Sequence, residues 1–203
     1  MKALYVTDRA ASGTERLKEV LTALAGAPEL AVQLREKDAS DRDILDLARR
    51  CREWLGPGVP LFLNRRFDLA LSAGADGVHL PADGLPLRRV RAATPRDFRV
   101  GVSTHSAEEA RAAIDDGADV VLIGPIFDTP SKRAYGAPLG PDVLAGLPPA
   151  AQHASAVYAI GGVDETNLEA LAPHRDRLAG ITAIRLFQDA ADPRAVCGRI
   201  AAR

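Results

Sequence analysis

Eight short apolar runs alternate with longer amphipathic stretches from one end of the chain to the other, and this alternation limits the fold more than any other feature. The runs lie at residues 3–7, 30–35, 60–63, 77–80, 99–103, 120–123, 157–160 and 181–184. They are rich in Val, Ile and Leu, as parallel strands covered on both faces must be. The stretches between them carry helix signals. Ser40 precedes the run Ile44, Leu45, Leu47, Ala48, Trp54, Leu55, which stops at Gly56-Pro57, and a serine hydroxyl can accept an orphan amide at a helix start. Ser106 precedes Glu108 and Glu109, whose charges suit the positive end of a helix. Asp192-Pro193 opens the last helix with proline in the first turn, where its missing N–H costs least.

A weak repeat agrees with this reading. Gly74-Ala75-Asp76-Gly77-Val78 and Gly117-Ala118-Asp119-Val120-Val121 each run from a helix end into a strand, 43 residues apart. That interval holds two strand–helix modules of about 21 residues, close to one eighth of the chain. The expected fold is a single-domain α/β barrel, (β/α)8 or TIM type, over residues 1–203. A doubly wound open sheet is the alternative that periodicity leaves open.

Bulk properties narrow the function. A formal net charge of −1 and 4% aromatic residues give no electrostatic or stacking basis for nucleic acid or a membrane surface. Cys51 and Cys197 fall far apart in helical segments and read as reduced thiols, not a disulfide framework. No apolar run is long enough to span a bilayer, and residues 1–8 read as a short apolar run ended by charge rather than a secretory signal. The expected compartment is the cytoplasm. Cys/His metal spacing, a Walker loop and a G-x-S-x-G elbow are all missing from the sequence.

In a barrel of this kind the active site forms at the C-terminal strand ends and the loops that follow. Four places carry chemistry there. In Gln33-Leu34-Arg35-Glu36-Lys37, strand alternation sets Gln33, Arg35 and Lys37 on one side, where two cations and an amide suit a phosphate or a carboxylate; a solvated charge cluster is the plainer alternative. In Gly101-Val102-Ser103-Thr104-His105 the same alternation groups Ser103 with His105, an imidazole able to move a proton near neutral pH or simply to bond at a strand end. Thr129-Pro130-Ser131-Lys132 lies in the long irregular segment 125–141 and offers two hydroxyls and an ammonium to an anion, or else forms a polar surface turn. Gly161-Gly162 after the seventh strand can bring backbone N–H groups to a phosphate, with Arg185 adding a cation. His79 suits packing inside the fourth strand, and His153 and His174 suit surface loops.

Taken in order, these pieces resemble the thiamine phosphate synthase superfamily, which also contains the thiazole tautomerases. The matching residues are Tyr5-Val6-Thr7-Asp8, the 33–37 run, Asn64, residues 73–80 and 101–106, Gly124-Pro125-Ile126-Phe127, residues 129–132 and Ile160-Gly161-Gly162. The resemblance covers nearly the whole chain. It implies a (β/α)8 barrel and a part in assembling thiamine from phosphorylated precursors. In the synthase, a thiazole phosphate displaces diphosphate from an activated pyrimidine with the help of magnesium. By position, Gln33, Arg35, Lys37, Asn64, Ser103 and Lys132 would surround the pyrimidine and its diphosphate. Thr129, Ser131, Gly161, Gly162, Ile184 and Arg185 would surround the thiazole phosphate.

The chain departs from the synthase pattern at the metal. The synthase has Asn-Asp after its third strand, where this chain has Asn64-Arg65, and a second aspartate past the fourth strand falls on Gly84, with Asp83 one residue early. Asp83 and Asp68 are the carboxylates nearby that could substitute. The eighth strand is expected to end Ile184-Arg185, where the synthase tends to have a small hydroxyl residue. The tautomerases lack the magnesium carboxylates and use a histidine after the fifth strand, a position matched by His105. The expected activity is therefore a metal-independent thiazole tautomerase with His105 as catalytic proton carrier and no cofactor. Thiamine phosphate synthase with Mg²⁺ is the first alternative, and a non-catalytic paralogue that binds a phosphorylated ligand is the second. The expected partners are a small-molecule thiazole phosphate and a second copy of the chain.

Overall fold

The computed structural model describes residues 2–202, with the side chains of Ser131, Ala134 and Tyr135 outside the description. Strands β1 (Lys2–Val6), β2 (Leu30–Leu34), β3 (Leu61–Asn64), β4 (Gly77–Leu80), β5 (Arg99–Thr104), β6 (Val120–Ile123), β7 (Ala156–Ile160) and β8 (Gly180–Ala183) follow one another in chain order as a closed barrel. The (β/α)8 architecture is the one expected, and every strand falls within one residue of its expected bounds. The chain forms two compact units, Met1–His79 with Ile184–Arg203, and Leu80–Ala183.

In the first unit β1, β2, β3 and β4 pair in parallel, with Val6 opposite Gln33, Leu34 opposite Leu63 and Asn64 opposite His79. Its helices are α1 (Arg9–Ser12), α2 (Thr14–Ala23), α3 (Asp41–Leu55), α4 (Phe67–Ser72), α7 (Arg185–Gln188) and α8 (Pro193–Ala201). Leu17, Val20, Leu21 and Leu24 recur at helical spacing and are buried, each worth about 1.5–3 kcal/mol relative to exposure. The Ser40 hydroxyl accepts the Asp43 N–H at 3.2 Å, the cap expected there, and the Asp192 carboxylate accepts the Ala195 N–H at 3.0 Å at the start of the last helix. Cys51 and Cys197 are free thiols, buried on α3 and α8.

In the second unit β5, β6, β7 and β8 pair in parallel, with Thr104 opposite Ile123, Ile123 opposite Ala159 and Ile160 opposite Thr182. Here α5 (Leu87–Ala92) and α6 (Ala107–Asp115) follow β4 and β5, and the Ser106 hydroxyl accepts the Glu109 N–H at 3.1 Å. After β6 and β7 the expected helical layer is made of 3₁₀ segments, Pro130–Tyr135, Pro141–Gly146, Ala150–Gln152 and Leu168–Arg177. Proline accounts for the last of these, since Pro173 lies inside it and removes a backbone donor there.

The repeat seen in the sequence has a structural basis, one copy in each unit. The Asp76 carboxylate accepts the Leu61 N–H at 2.7 Å and pairs with Arg52, whose guanidinium also donates to the Val59 carbonyl at 2.9 Å. The Asp119 carboxylate accepts the Val100 N–H at 2.7 Å and pairs with Arg91, which donates to the Phe98 carbonyl at 2.6 Å. Each aspartate ties the start of one strand to the helix before it.

Candidate active site

At the C-terminal ends of the first unit's strands, Gln33 is 2% exposed and its Nε2 donates to the Asn64 Oδ1 at 3.1 Å. Its Oε1 is buried with no hydrogen-bond partner among the described residues. A buried amide acceptor left open costs about 1–3 kcal/mol, so it needs a donor from outside the chain or a reason to be tolerated. His79, on the neighbouring strand, is buried, and burial together with the Arg35 guanidinium pushes it down to about 3. It is a neutral imidazole at physiological pH. β2 stops at Leu34, so Arg35 is half-buried in the following turn, with its N–H donating to the Thr7 hydroxyl at 3.0 Å, and Lys37 is exposed beyond it.

The turn is held by a residue that the sequence reading passed over. The Glu36 side chain is 3% exposed; it accepts the Thr7 hydroxyl at 2.7 Å and the Arg9 N–H at 3.2 and 3.1 Å. Desolvation pushes its carboxyl above the ordinary range, against those hydrogen bonds. Glu36 thus locks the β1 end to the turn that carries Arg35. Thr7, one residue past β1 and directly after the matched Tyr5-Val6, was the signal available in the sequence.

In the second unit Gly161 and Gly162 have φ of 93° and 66°, and a Cβ at either would come within 2.6 Å of Pro125 or 2.5 Å of the Asp128 carbonyl. The segment after β6 is pressed onto them: the Ile126 N–H donates to the Ile160 carbonyl at 2.8 Å, and the Phe127 N–H to the Gly161 carbonyl at 2.9 Å. The paired glycines therefore have a packing reason besides the phosphate role expected of them. The 125–141 segment closes on itself, with the Leu139 N–H on the Pro125 carbonyl at 2.8 Å and Arg133 gripping Asp128 at 2.6 Å. Thr129 and Lys132 are half-buried within it, and the Ser131 side chain lies outside the described residues.

Three expectations change in the structure. β5 ends at Thr104, so alternation does not carry to His105, which is exposed and whose N–H donates to the Glu109 carboxylate at 2.7 Å as part of the α6 start. β8 ends at Ala183; the backbone turns helical at Ile184, and Arg185 is the exposed first residue of α7. His153 is not a surface residue in the usual sense, because both ring nitrogens are buried without a partner among the described residues. Ser103 is half-buried on β5, as expected for a residue near the strand end.

At the two positions where the resemblance implies magnesium carboxylates, the residues present supply none. Mg²⁺ takes oxygen donors in near-octahedral array. Arg65 offers none, and at Gly84 a Cβ would lie 2.9 Å from the Pro81 carbonyl oxygen. Asp68 is held by Arg66 at 2.9 and 2.7 Å, which keeps its carboxyl below the ordinary range. Among the described residues, no group of three or more His, Cys, Asp or Glu side chains stands close enough to hold a metal.

A closed parallel barrel with polar and cationic side chains at its C-terminal strand ends belongs to the (β/α)8 class that carries enzyme sites there. The model of the family described as thiamine monophosphate synthase matches residues 3–185, and the chain belongs to that family. It is similar to a thiamine-phosphate synthase of Anaeromyxobacter dehalogenans, 39% identical over 191 residues, covering 94% of this chain and 83% of that one. It is also 42% identical over 160 residues to a longer thiamine-phosphate synthase of Gloeobacter violaceus, covering 78% of this chain and 46% of the relative. Among solved structures, a thiamine phosphate pyrophosphorylase of Pyrococcus furiosus has a TM-score of 0.81 at 27% identity, covering 99% of this chain and 94% of that one. These findings overturn the tautomerase expectation: the relatives carry the synthase name, and with that reading goes the proton-carrier role of His105. Among the described residues, no helix is long and apolar enough to cross a membrane.

Proposed function

We propose that the chain is a transferase that joins a thiazole phosphate to a hydroxymethylpyrimidine diphosphate. The thiazole ring nitrogen bonds to the pyrimidine's methylene carbon as the carbon–oxygen bond to diphosphate breaks, and the diphosphate leaves with the bonding pair. The observation that carries this reading is the Gln33–Asn64 pair, whose buried Gln33 Oε1 stands open to a donor. An amino-substituted ring supplies such a donor, and the adjacent Arg35 supplies charge for the diphosphate attached to it. Family membership and the names of the relatives support the same reaction.

In this reading Gln33 and Asn64 orient the pyrimidine, Arg35, Lys37 and Lys132 meet its diphosphate, and Ser103 adds a hydroxyl. Thr129, Ser131, Gly161, Gly162, Ile184 and Arg185 take the thiazole phosphate. Orientation does much of the work, because holding two reactants in line replaces a bimolecular encounter with a unimolecular step. The test is to supply the purified chain with both precursors and follow thiamine phosphate by chromatography. The expected result is one diphosphate released per product, and none above spontaneous hydrolysis when thiazole phosphate is left out. A folded chain that forms no product under any metal condition would overturn the reading.

A further inference from the structure

The parallel ladder between β1 and β2 ends in a side-chain hydrogen bond. The Ala3 N–H donates to the Glu29 carbonyl at 2.9 Å and the Thr7 N–H to the Gln33 carbonyl at 3.0 Å, so continued pairing would bring the Arg35 N–H to the Thr7 carbonyl. It goes to the Thr7 hydroxyl instead, at 3.0 Å. The same hydroxyl donates to the Glu36 carboxylate at 2.7 Å. A hydroxyl has one proton, and Glu36 takes it, which leaves the oxygen's lone pairs for the Arg35 N–H. The carboxylate is itself seated by the Arg9 N–H at 3.2 and 3.1 Å, at the start of α1.

Thr7 is fully buried and the Glu36 side chain is nearly so, so water does not compete for the bond between them. Burying a carboxylate costs stability, and a neutral side chain could close a turn at lower cost. What the carboxylate secures is the residue before it. Arg35 is half-buried, and its guanidinium lies near enough to the buried His79 to act on that imidazole, so it leaves the turn toward the strand ends of the first unit.

We propose that Glu36 is a positioning residue of the transfer reaction: through the Thr7 hydroxyl it fixes the backbone of Arg35, and so the line on which that guanidinium meets the substrate's diphosphate. The inference rests on the transferase reading above and adds to it two residues, Thr7 and Glu36, that need touch no substrate. An arginine side chain swings on several rotatable bonds, so its planar fork matches two phosphate oxygens only when its base is held. A displacement of about 1 Å at a group that orients a reactant can cost on the order of 100-fold in rate.

The experiment measures KM for each precursor in the two-precursor assay and titrates inorganic pyrophosphate into the same chains by calorimetry, with Mg²⁺ present throughout. Thr7→Val keeps the buried shape and removes the hydroxyl, Thr7→Ser keeps the hydroxyl, and Glu36→Ala removes the carboxylate. Thr7→Val and Glu36→Ala break the same link, so if one fails to fold the other decides. Both are expected to raise KM for the pyrimidine diphosphate and to weaken pyrophosphate at least about tenfold, with KM for the thiazole phosphate within about twofold of wild type. Thr7→Ser is expected to match the wild type. In an Arg35→Ala background Thr7→Val should add no further loss, because its effect passes through Arg35. Both KM values raised together, neither raised, or a full further loss in the Arg35→Ala background overturns the inference and leaves the transferase reading standing. A folded wild type that forms no product overturns the transferase reading, and the pyrophosphate titration then decides Glu36 alone. Binding weakened in Thr7→Val and kept in Thr7→Ser supports the positioning; equal binding in the two, or none by the wild type, overturns it.

Discussion

The two ends of the strands use charge in opposite ways. At the N-terminal ends, each of two aspartates is matched to one arginine and one strand amide: Asp76 with Arg52 and Leu61, Asp119 with Arg91 and Val100. Both aspartates have a counter-charge there, and the product is a brace with one copy in each unit. At the C-terminal end of β2, Arg35 and Lys37 stand in the turn after Gln33, whose buried amide oxygen has no hydrogen-bond partner among the described residues, and the buried His79 is a neutral imidazole. Matched charge holds a fold together. Cations beside an open acceptor suit a ligand that carries both an anionic group and a hydrogen-bond donor, and the fold gives up some stability to keep that acceptor open.

Steric tests at the C-terminal ends have the largest expected effects. At Gly124 a Cβ would lie 2.1 Å from the Ile160 carbonyl oxygen, so Gly124→Ala is expected to cost about 3 kcal/mol or more, or to yield no folded protein, as read by thermal melting. Next come the braces. Asp76→Ala and Asp119→Ala each remove a charged acceptor from a strand amide and an arginine, and about 1.5–3 kcal/mol should be lost in denaturant titration for either variant. Similar losses for the two are part of the prediction, and a brace whose removal costs nothing in one unit would break the equivalence.

His79 gives a pH signature. Its folded value of about 3 lies below the ordinary 6.5, so between those values the unfolded chain binds a proton that the folded chain refuses. Stability is then full above pH 6.5 and falls by about 1.4 kcal/mol per pH unit as pH drops toward 3, and His79→Gln should flatten that slope. Glu36 has the opposite sign. Burial raises its folded value, so the contribution of Glu36 to stability is greatest at low pH and is lost as pH rises through that value; Glu36→Gln should remove that loss. The smallest effect belongs to the exposed pairing of Arg66 with Asp41 and Asp68, where Arg66→Ala is expected to cost about 0.2–1 kcal/mol.

The contrast between the strand ends was only partly legible in the sequence. The caps at Ser40 and Ser106 and the helix start at Asp192-Pro193 act through near neighbours in the chain, and each forms as read. What the aspartates of the repeat do was hidden, because Arg52 and Arg91 lie 24 and 28 residues before them. Glu36 was masked by the cations on either side of it, although its side chain is buried. Alternation placed Gln33 correctly and failed for His105 and Arg185, because strand geometry stops at Thr104 and Ala183. The family was visible in ordered motifs, but the branch was not. The missing metal carboxylates pointed toward the tautomerases, whereas the relatives carry the synthase name.

Thermal melting of wild type, Asp76→Ala and Arg35→Ala, each with and without inorganic pyrophosphate, tests the separation of brace from site most directly. The account predicts a lower Tm for Asp76→Ala with the ligand-induced rise preserved, and a near-native Tm for Arg35→Ala with that rise lost. A wild type that shows no rise, or an Arg35→Ala variant that keeps it in full, would contradict the account.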